Sequence, residues 1–282
     1  MTAPPPQEQA LVFVCRTATL VGIVHRPPAA ARRGVLIVVG GPQYRVGSHR
    51  QFLLLARSLT GHGVPVMRFD HRGVGDSDGP YRGFEALDDD IAAAIDAFLA
   101  ECPEIEEVVL WSLCDAASAV LFYAHRDPRV AGIVLANPWV RTPESEARVY
   151  LSHYYLRRLT ERDFWRGMLA GHVRPMAAAT SLLQLLGRLL GGAPASGGRA
   201  ALPDRMADGL ARFQGPVLLI MSGQDLTARE FEDAASQSAA WRRLLAEERI
   251  RREDLAPADH TFSRRAWRDK VATWTLDWLR SW

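Results

Sequence analysis

Hydrophobic positions follow two patterns that alternate along much of the chain. Unbroken apolar runs, typical of strands buried on both faces, are separated by stretches whose apolar residues recur at helical spacing. The predicted strands are 11–14, 19–24, 34–39, 64–69, 108–111, 130–136 and 216–221, with a weaker final candidate at 249–252. The predicted helices are 52–59, begun by Ser48 as an N-cap, and 88–99, 116–125 and 266–282. This alternation predicts a mostly parallel sheet flanked by helices, preceded by an antiparallel hairpin.

The alternation stops after residue 137. Residues 138–212 contain several helical runs, no strand-like run and a glycine-rich segment at 191–198. A long stretch of this kind inside a compact domain is typical of an insertion with its own structure. We therefore predict an α/β core made of residues 1–137 and 213–282, with residues 138–212 forming an inserted helical cap, or lid.

Composition excludes several classes of protein. With 282 residues, 48% of them hydrophobic, the chain can bury a large core, so disorder is not expected. A formal charge of +2 provides no strong field for nucleic acid or a membrane surface. Three cysteines do not make a disulfide framework and indicate a reducing compartment. Since the chain starts without a signal-peptide pattern and no apolar run reaches the ~20 residues that span a bilayer, we expect a cytoplasmic protein without stable membrane insertion.

One cysteine lies where a predicted strand changes abruptly into a helix. Cys114 has small residues two positions before and after it, Ser112 and Ala116. A strand-to-helix elbow of this form exposes a nucleophile above a sheet, and the N-terminus of the following helix favours a thiolate. Cys15 and Cys102 lack this context and are expected in the core. A buried core cysteine is the simpler alternative for Cys114, but the elbow favours a nucleophile.

Two later segments supply the acid and the base that a nucleophilic cysteine needs. Asp225 follows the predicted strand 216–221, at the carboxyl end where open α/β sheets build their sites. His260 lies further along, in a polar loop before the last predicted helix. The sequence therefore predicts a catalytic triad of Cys114, His260 and Asp225.

The same chemistry requires hydrogen-bond donors for the oxyanion of a tetrahedral intermediate. The backbone N–H of Asp115, directly after the nucleophile, is the first expected donor. The second should come from the glycine-rich loop after strand 34–39. Because Pro42 has no N–H, Gly41 is the better candidate and Gln43 the alternative.

Other polar clusters have structural interpretations. The glycine-rich segment 70–79 lacks the lysine of a phosphate-binding loop and is interpreted as a turn held by Asp and Ser side chains. Histidines 25, 62, 71 and 125 are expected in loops or at the surface. No histidine–cysteine spacing indicates a metal site, and no cofactor is predicted.

The predicted cap is rich in arginine. Its arginines could attract an anionic substrate, such as a CoA ester or an acidic saccharide, but a solvated helix face is the simpler interpretation. They are Arg141, Arg148, Arg157, Arg158, Arg162, Arg166 and Arg174.

Three segments carry a resemblance to a known family. They read GGPQYRVGSHR at 40–50, RFDHRGVGDS at 68–77 and LCDAAS at 113–118. Together with the order nucleophile, acid, histidine, they make the chain similar to α/β-hydrolases over nearly its full length. More narrowly, it resembles the exosortase A system-associated hydrolases of the first type. Ser112 stands where that pattern usually has glycine.

The resemblance implies an α/β-hydrolase fold with a cysteine at the elbow and gives no known substrate. Members of that family are bacterial proteins encoded beside machinery for exopolysaccharide production and protein sorting. Dienelactone hydrolases and polyhydroxyalkanoate synthases are more distant relatives. They indicate that a cysteine elbow supports either hydrolysis or acyl transfer.

Three functions follow as hypotheses. The leading one is an esterase or thioesterase that hydrolyses a small acyl ester or thioester through a thioester on Cys114. The first alternative is an acyltransferase that passes the acyl group to a saccharide or amine. The second is a non-catalytic binding protein on a hydrolase fold.

Overall fold

The computed structural model describes residues 7–41, 43–140 and 200–282. The chain divides into two compact units, Met1–Val140 with Pro203–Trp282 and Arg141–Leu202. Most of the predicted cap, including its arginines, lies outside the described residues and stays a prediction. The description below concerns the first unit.

Within the described residues, eight strands form one sheet. The strands are β1 Gln7–Cys15, β2 Ala18–Arg26, β3 Arg33–Val38, β4 Val66–Asp70, β5 Glu107–Leu113, β6 Val130–Ala136, β7 Val217–Ser222 and β8 Ile250–Leu255. Their order is β1-β2-β4-β3-β5-β6-β7-β8. β1 and β2 pair antiparallel, as do β2 and β4, and every later pair is parallel. The predicted hairpin and mostly parallel sheet are therefore confirmed.

Helices connect most of these strands. In the described part of the chain they are α1 Gln51–Gly61, α2 Asp88–Glu101, α3 Asp115–Tyr123, α4 Leu202–Arg212, α5 Leu226–Gln237, α6 Ala239–Leu245 and α7 Arg265–Leu279. Three short 3-10 turns add Ser48–Arg50, Phe84–Ala86 and Ala124–Arg126. Helices α5 and α6 lie between β7 and β8, where the hydrophobic pattern gave no prediction.

The two faces of the sheet bury different helices because successive side chains of a strand point to opposite sides. Val35 and Ile37 of β3 belong to the apolar cluster that contains α1 and α7. Gly34 faces the other way, where a Cβ would meet the Phe98 ring of α2. This layering leaves the carboxyl ends of β3, β5, β6 and β7 together at one edge, from which the site is built.

The start of α1 differs from the prediction. Ser48 does not cap this helix; it begins the preceding 3-10 turn, and Arg50 occupies the N-cap position with φ 61° and no side-chain cap. His49 is also left-handed, with φ 53°. The chain therefore enters α1 through two successive left-handed residues, which direct its backbone into the helix without a serine cap.

Two of the histidines expected in loops or at the surface are buried: His71 does lie in a loop, whereas His25 lies in a strand. His25 on β2 is 1% exposed and His71, after β4, is 2% exposed. His25 accepts a hydrogen bond at Nε2 from Arg68 Nε at 2.9 Å. Burial, followed by the charge of Arg68, lowers the pKa of His25 to about 4, so a neutral imidazole serves as a buried acceptor. Local sequence could not show this pairing because the two residues lie on different strands.

The glycine-rich turn after β4 is structural, as the sequence predicted. Gly73 and Gly75 have φ 74° and 57°, in the left-handed region that favours glycine. Ser77 Oγ donates to the Asp70 carbonyl oxygen at 2.6 Å and accepts from the Val21 N–H at 2.9 Å. This turn is thereby tied to the adjoining strand.

No helix among the described residues is both long and apolar enough to cross a lipid bilayer.

Candidate active site

Cys114 lies at the junction of β5 and α3 in an unusual backbone conformation. Its φ of 64° and ψ of −129° are costly for a residue with a side chain and must be imposed by the surroundings. The Cys114 N–H donates to the Ala136 carbonyl at 3.0 Å, and its own carbonyl accepts from Ala117 at 3.0 Å and Trp139 at 3.2 Å. These bonds to β6, to α3 and to the segment after β6 hold the elbow in place.

The environment of Cys114 distinguishes it from the other two cysteines. Cys15 and Cys102 are buried, as predicted, and Cys114 is partly exposed. Burial raises the pKa of Cys15, and it raises that of Cys102 to about 11, which disfavours their thiolates. Cys114 is thus the cysteine placed for reaction.

The small residues around the elbow fit closely. Ser112, where glycine is usual, is fully buried and its Oγ donates to the Val134 carbonyl at 2.8 Å. Ala116 on the other side is also fully buried. The serine is accommodated because its hydroxyl finds a partner on the neighbouring strand.

Asp225 and His260 meet as the sequence order suggested. His260 Nδ1 lies 2.7 Å from Asp225 Oδ2. Asp225 is also the N-cap of α5, with Oδ1 accepting from the Thr227 N–H at 3.1 Å and Oδ2 from the Ala228 N–H at 3.2 Å. The helix cap therefore fixes the carboxylate that orients the imidazole ring.

The second partner of the His260 ring is the Cys114 side chain. Burial lowers the pKa of His260, but the hydrogen bonds and charges of Asp225 and Cys114 raise it by more, to about 10. The imidazole consequently holds its proton at neutral pH between a carboxylate and a thiol group. His260 therefore contacts both the candidate orienting acid and the candidate nucleophile.

The loop that carries His260 is held by two residues that sequence reasoning did not select. Asn137 Nδ2 donates to the His260 carbonyl at 3.0 Å and to Ser222 Oγ at 2.9 Å. Asn137 Oδ1 accepts from the Ser222 N–H at 2.8 Å, and Ser222 Oγ donates to the Asp259 carbonyl at 2.9 Å. Their positions directly after β6 and at the end of β7 were the available signal, because polar residues at strand carboxyl ends build sites in α/β folds.

Gly40 and Gly41, the glycine pair after β3, lie against the elbow. A Cβ on Gly40 would overlap Asp115 Oδ1 and would lie 2.7 Å from the Leu113 carbonyl oxygen, so only glycine fits there. Gly41 has φ 57°. The backbones of both predicted oxyanion donors, Gly41 and Asp115, thus belong to segments in close contact. Gln43, the alternative donor, has a buried Oε1 without a hydrogen-bond partner among the described residues.

The Asp115 side chain adds a carboxyl group that the sequence analysis did not consider. Its Oδ1 is buried and lacks a hydrogen-bond partner among the described residues. Burial raises the pKa of this carboxyl by more than the backbone N–H groups of Gly41 and Ala116 and the nearby His71 lower it. A second acid therefore lies beside the donors expected to receive the oxyanion.

In the described part of the chain, no group of three or more histidine, cysteine, aspartate or glutamate side chains is placed to hold a metal ion.

Comparisons with known proteins bear on the fold. The family model described as serine aminopeptidase, S33, matches residues 30–166. No curated protein sequence gives a significant match.

Several solved structures are similar over almost the whole chain. An esterase from Pyrococcus furiosus is 14% identical with a TM-score of 0.66, over 98% of this chain and 93% of that one. A dienelactone hydrolase from Anabaena variabilis is 16% identical with a TM-score of 0.61, over 98% of each chain. Est1E from Butyrivibrio proteoclasticus, solved with ferulic acid bound, is 14% identical with a TM-score of 0.62, over 96% of this chain and 98% of that one. The eight-stranded, mostly parallel sheet with its flanking helices is thus an α/β-hydrolase fold.

Proposed function

We propose that the protein is an acyl hydrolase, an esterase or thioesterase, whose nucleophile is Cys114. The observation that carries the proposal is the line of contacts from Asp225 through His260 to Cys114, ending at a thiol on a strained elbow. Nucleophile, base and orienting acid in hydrogen-bond contact are the signature of covalent catalysis. The Pyrococcus furiosus esterase among the similar structures supports an ester as substrate.

The first half of the reaction acylates Cys114. The Cys114 thiolate attacks the carbonyl carbon of the substrate, a C–S bond forms, and the carbonyl π electrons move onto oxygen. The N–H groups of Asp115 and Gly41 are the proposed donors for this oxyanion. As the tetrahedral intermediate collapses, the bond to the leaving group breaks and imidazolium His260 gives that group its proton, leaving a thioester on Cys114.

The second half returns the enzyme to its starting state. Neutral His260 takes a proton from a water molecule as that water attacks the thioester carbonyl. The C–S bond then breaks, the acid product leaves, and Cys114 is again a thiolate beside protonated His260. Asp225 accepts a hydrogen bond from the proton-bearing Nδ1 of His260 and so holds the imidazole in the tautomer that this exchange requires.

A two-reagent experiment tests the assignment. Intact-mass spectrometry after brief exposure to p-nitrophenyl acetate should show one acetyl group, mapped to Cys114, and iodoacetamide should label Cys114 before the buried Cys15 and Cys102. The variant Cys114→Ala should lose both adducts at this site, while a Cys102→Ala control should keep them. Equal labelling of all three cysteines in the folded protein would refute the assignment.

The same experiment addresses the acceptor. Rapid loss of the acetyl adduct in water alone supports hydrolysis. An adduct that persists until a saccharide or amine is added would instead support acyl transfer. Activity without any adduct, or none against any ester, would favour a different mechanism or a binding protein. The resemblance to exosortase A system-associated hydrolases makes acylated saccharides the first natural substrates to test.

A further inference from the structure

Among the described residues around Gly41, at 40–41 and 43–47, the side chain of Arg45 is the buried one. We call residues 40–41 and 43–47 the oxyanion loop. Tyr44 is exposed, whereas Arg45 next to it is 8% exposed. Gly41 and Gly47 have φ 57° and 75°, so the loop turns sharply near both ends. The Gly41 end of the loop is held by the Asp115 carboxyl, and the middle of the loop is held by the contacts of Arg45.

Asp70, at the end of β4, holds Arg45 twice. One carboxylate oxygen, Oδ1, accepts the Arg45 backbone N–H at 2.6 Å, and the other accepts from the Arg45 guanidinium. Asp70 Oδ2 also accepts the Asp76 N–H at 3.1 Å. Asp70 is fully buried, and both of its contacts with Arg45 are shielded from water.

The carbonyl group of Arg45 is also bonded to a side chain of β4. Arg68 Nη1 donates to the Arg45 carbonyl oxygen at 3.3 Å. The Arg45 guanidinium reaches Asp76 Oδ2 at 2.9 Å, and Tyr44 Oη donates to that same carboxylate oxygen at 2.7 Å. Both backbone polar groups of Arg45 are thus bonded to side chains of β4, which fixes the loop backbone in position and orientation.

A buried charge pair is weak evidence for stability, because desolvation offsets much of the attraction, but it specifies geometry strongly. Oxyanion donors need that geometry, since their effect depends on placement within a few tenths of an ångström of the developing charge. We propose that Asp70 is a positioning residue for the oxyanion hole, acting through Arg45 to place the Gly41 N–H. This inference rests on the proposed function and assigns the loop anchor that the function requires.

The variant Asp70→Asn tests the inference. Asparagine keeps an oxygen acceptor for the Arg45 N–H and loses the charge that holds the guanidinium. We expect the rate constant for acylation of Cys114 by p-nitrophenyl acetate to fall by about 10- to 100-fold, below the loss for a donor removed outright. Alkylation of Cys114 by iodoacetamide should stay within about twofold of wild type, because displacement of iodide creates no oxyanion. A purely structural effect would move both rates together.

Asp90→Asn is the matched control. Asp90 is 1% exposed, accepts the Arg72 backbone N–H at 2.8 Å and receives the Arg72 guanidinium at 2.7 Å, so it is the same kind of buried pair. It does not contact the oxyanion loop. We expect a similar fall in Tm with acylation unchanged. Equal acylation losses in Asp70→Asn and Asp90→Asn, both measured on folded protein by circular dichroism, would overturn the proposal.

Arg45→Lys provides a second test if Asp70→Asn does not fold. Lysine keeps a positive charge and the backbone N–H, and loses the forked contact with Asp70 and Asp76. Acylation should slow while alkylation does not, and wild-type acylation in this variant would also overturn the proposal. Failure of the proposed function has a different signature, since wild-type protein would then be alkylated at Cys114 but never acylated.

Discussion

Asp225→Asn is the sharpest perturbation of the candidate triad, because one side chain both caps a helix and orients the base. In the wild type, Oδ2 receives His260 Nδ1 at 2.7 Å and Ala228 N–H at 3.2 Å, while Oδ1 receives Thr227 N–H at 3.1 Å. An asparagine has one oxygen to serve both positions. Whichever way the asparagine amide is turned, its NH₂ group faces either the His260 ring or the Thr227 N–H, and each of these donates a hydrogen bond in the wild type.

The size of the effect follows from these contacts. If the oxygen faces Thr227, the NH₂ group faces His260 and stabilises the tautomer that cannot accept the proton of Cys114. Removal of the acid in this way costs about 10⁴-fold in kcat for a serine triad, and we expect a loss of about 10³- to 10⁴-fold here. If the oxygen faces His260, the cap at Thr227 is lost. In either orientation the free energy of unfolding should fall by about 1–3 kcal/mol, the cost of an unsatisfied buried polar group.

The stability loss should depend on pH. The folded-state pKa of His260 is about 10, above its ordinary value of 6.5, so protonated His260 stabilises the folded state fully below pH 6.5. That contribution is lost as the pH rises toward 10. Since Asp225 is one of the two groups that raise this pKa, the difference in unfolding free energy between wild type and Asp225→Asn should be larger at pH 6 than at pH 10.

Two measurements check the prediction. Urea unfolding at pH 6 and pH 10 gives the stability difference, and p-nitrophenyl acetate turnover gives kcat and KM. Asp259→Asn is the control, because Asp259 precedes His260 in the same loop but bonds the Ser263 N–H at 2.9 Å. This control should keep activity within about tenfold. Near-wild-type turnover in Asp225→Asn, or a larger loss in Asp259→Asn, would refute the assignment of Asp225.

Three further variants extend the test. Cys114→Ala should keep the Tm within a few degrees, lose iodoacetamide labelling at the elbow by mass spectrometry and lose turnover; retained turnover would contradict a cysteine nucleophile. Gly40→Ala should lower the unfolding free energy by about 1–3 kcal/mol, since its Cβ meets Asp115 Oδ1 and the Leu113 carbonyl. A wild-type Tm in Gly40→Ala would show that the oxyanion loop can move to accommodate the added Cβ without loss of stability. Asp115→Asn should speed acylation about tenfold at alkaline pH, because it removes a negative charge beside the developing oxyanion. A tenfold change uses only a fraction of the ~4 kcal/mol of repulsion between two unit charges 4 Å apart at a dielectric constant of 20. Slower acylation in burst kinetics would instead indicate that this carboxyl takes part in the reaction.

Local pattern was sufficient for the strands and for the elbow. Unbroken apolar runs such as 34–39 and 130–136 correspond to β3 and β6 because a strand buried on both faces has no polar positions to interrupt it. Cys114 could be singled out because the elbow consists of consecutive residues. Prediction was poorer between residues 226 and 248, because few large apolar side chains mark the two helices there: the buried ones are Phe231 in α5 and Trp241 and Leu244 in α6.

The sequence by itself determined the order of the strands, the elbow, and the choice of Asp225 and His260 as partners of Cys114. Only the tertiary structure decided which polar groups share a buried position. Arg45 and Asp70 are 25 residues apart, and Asn137 and Ser222 are 85 apart. The physical reason is that periodicity records whether a residue is buried, whereas the identity of its partner depends on the order of strands in the sheet. That order places β4 beside β3, and β6 beside β7, at the edge where the site is assembled.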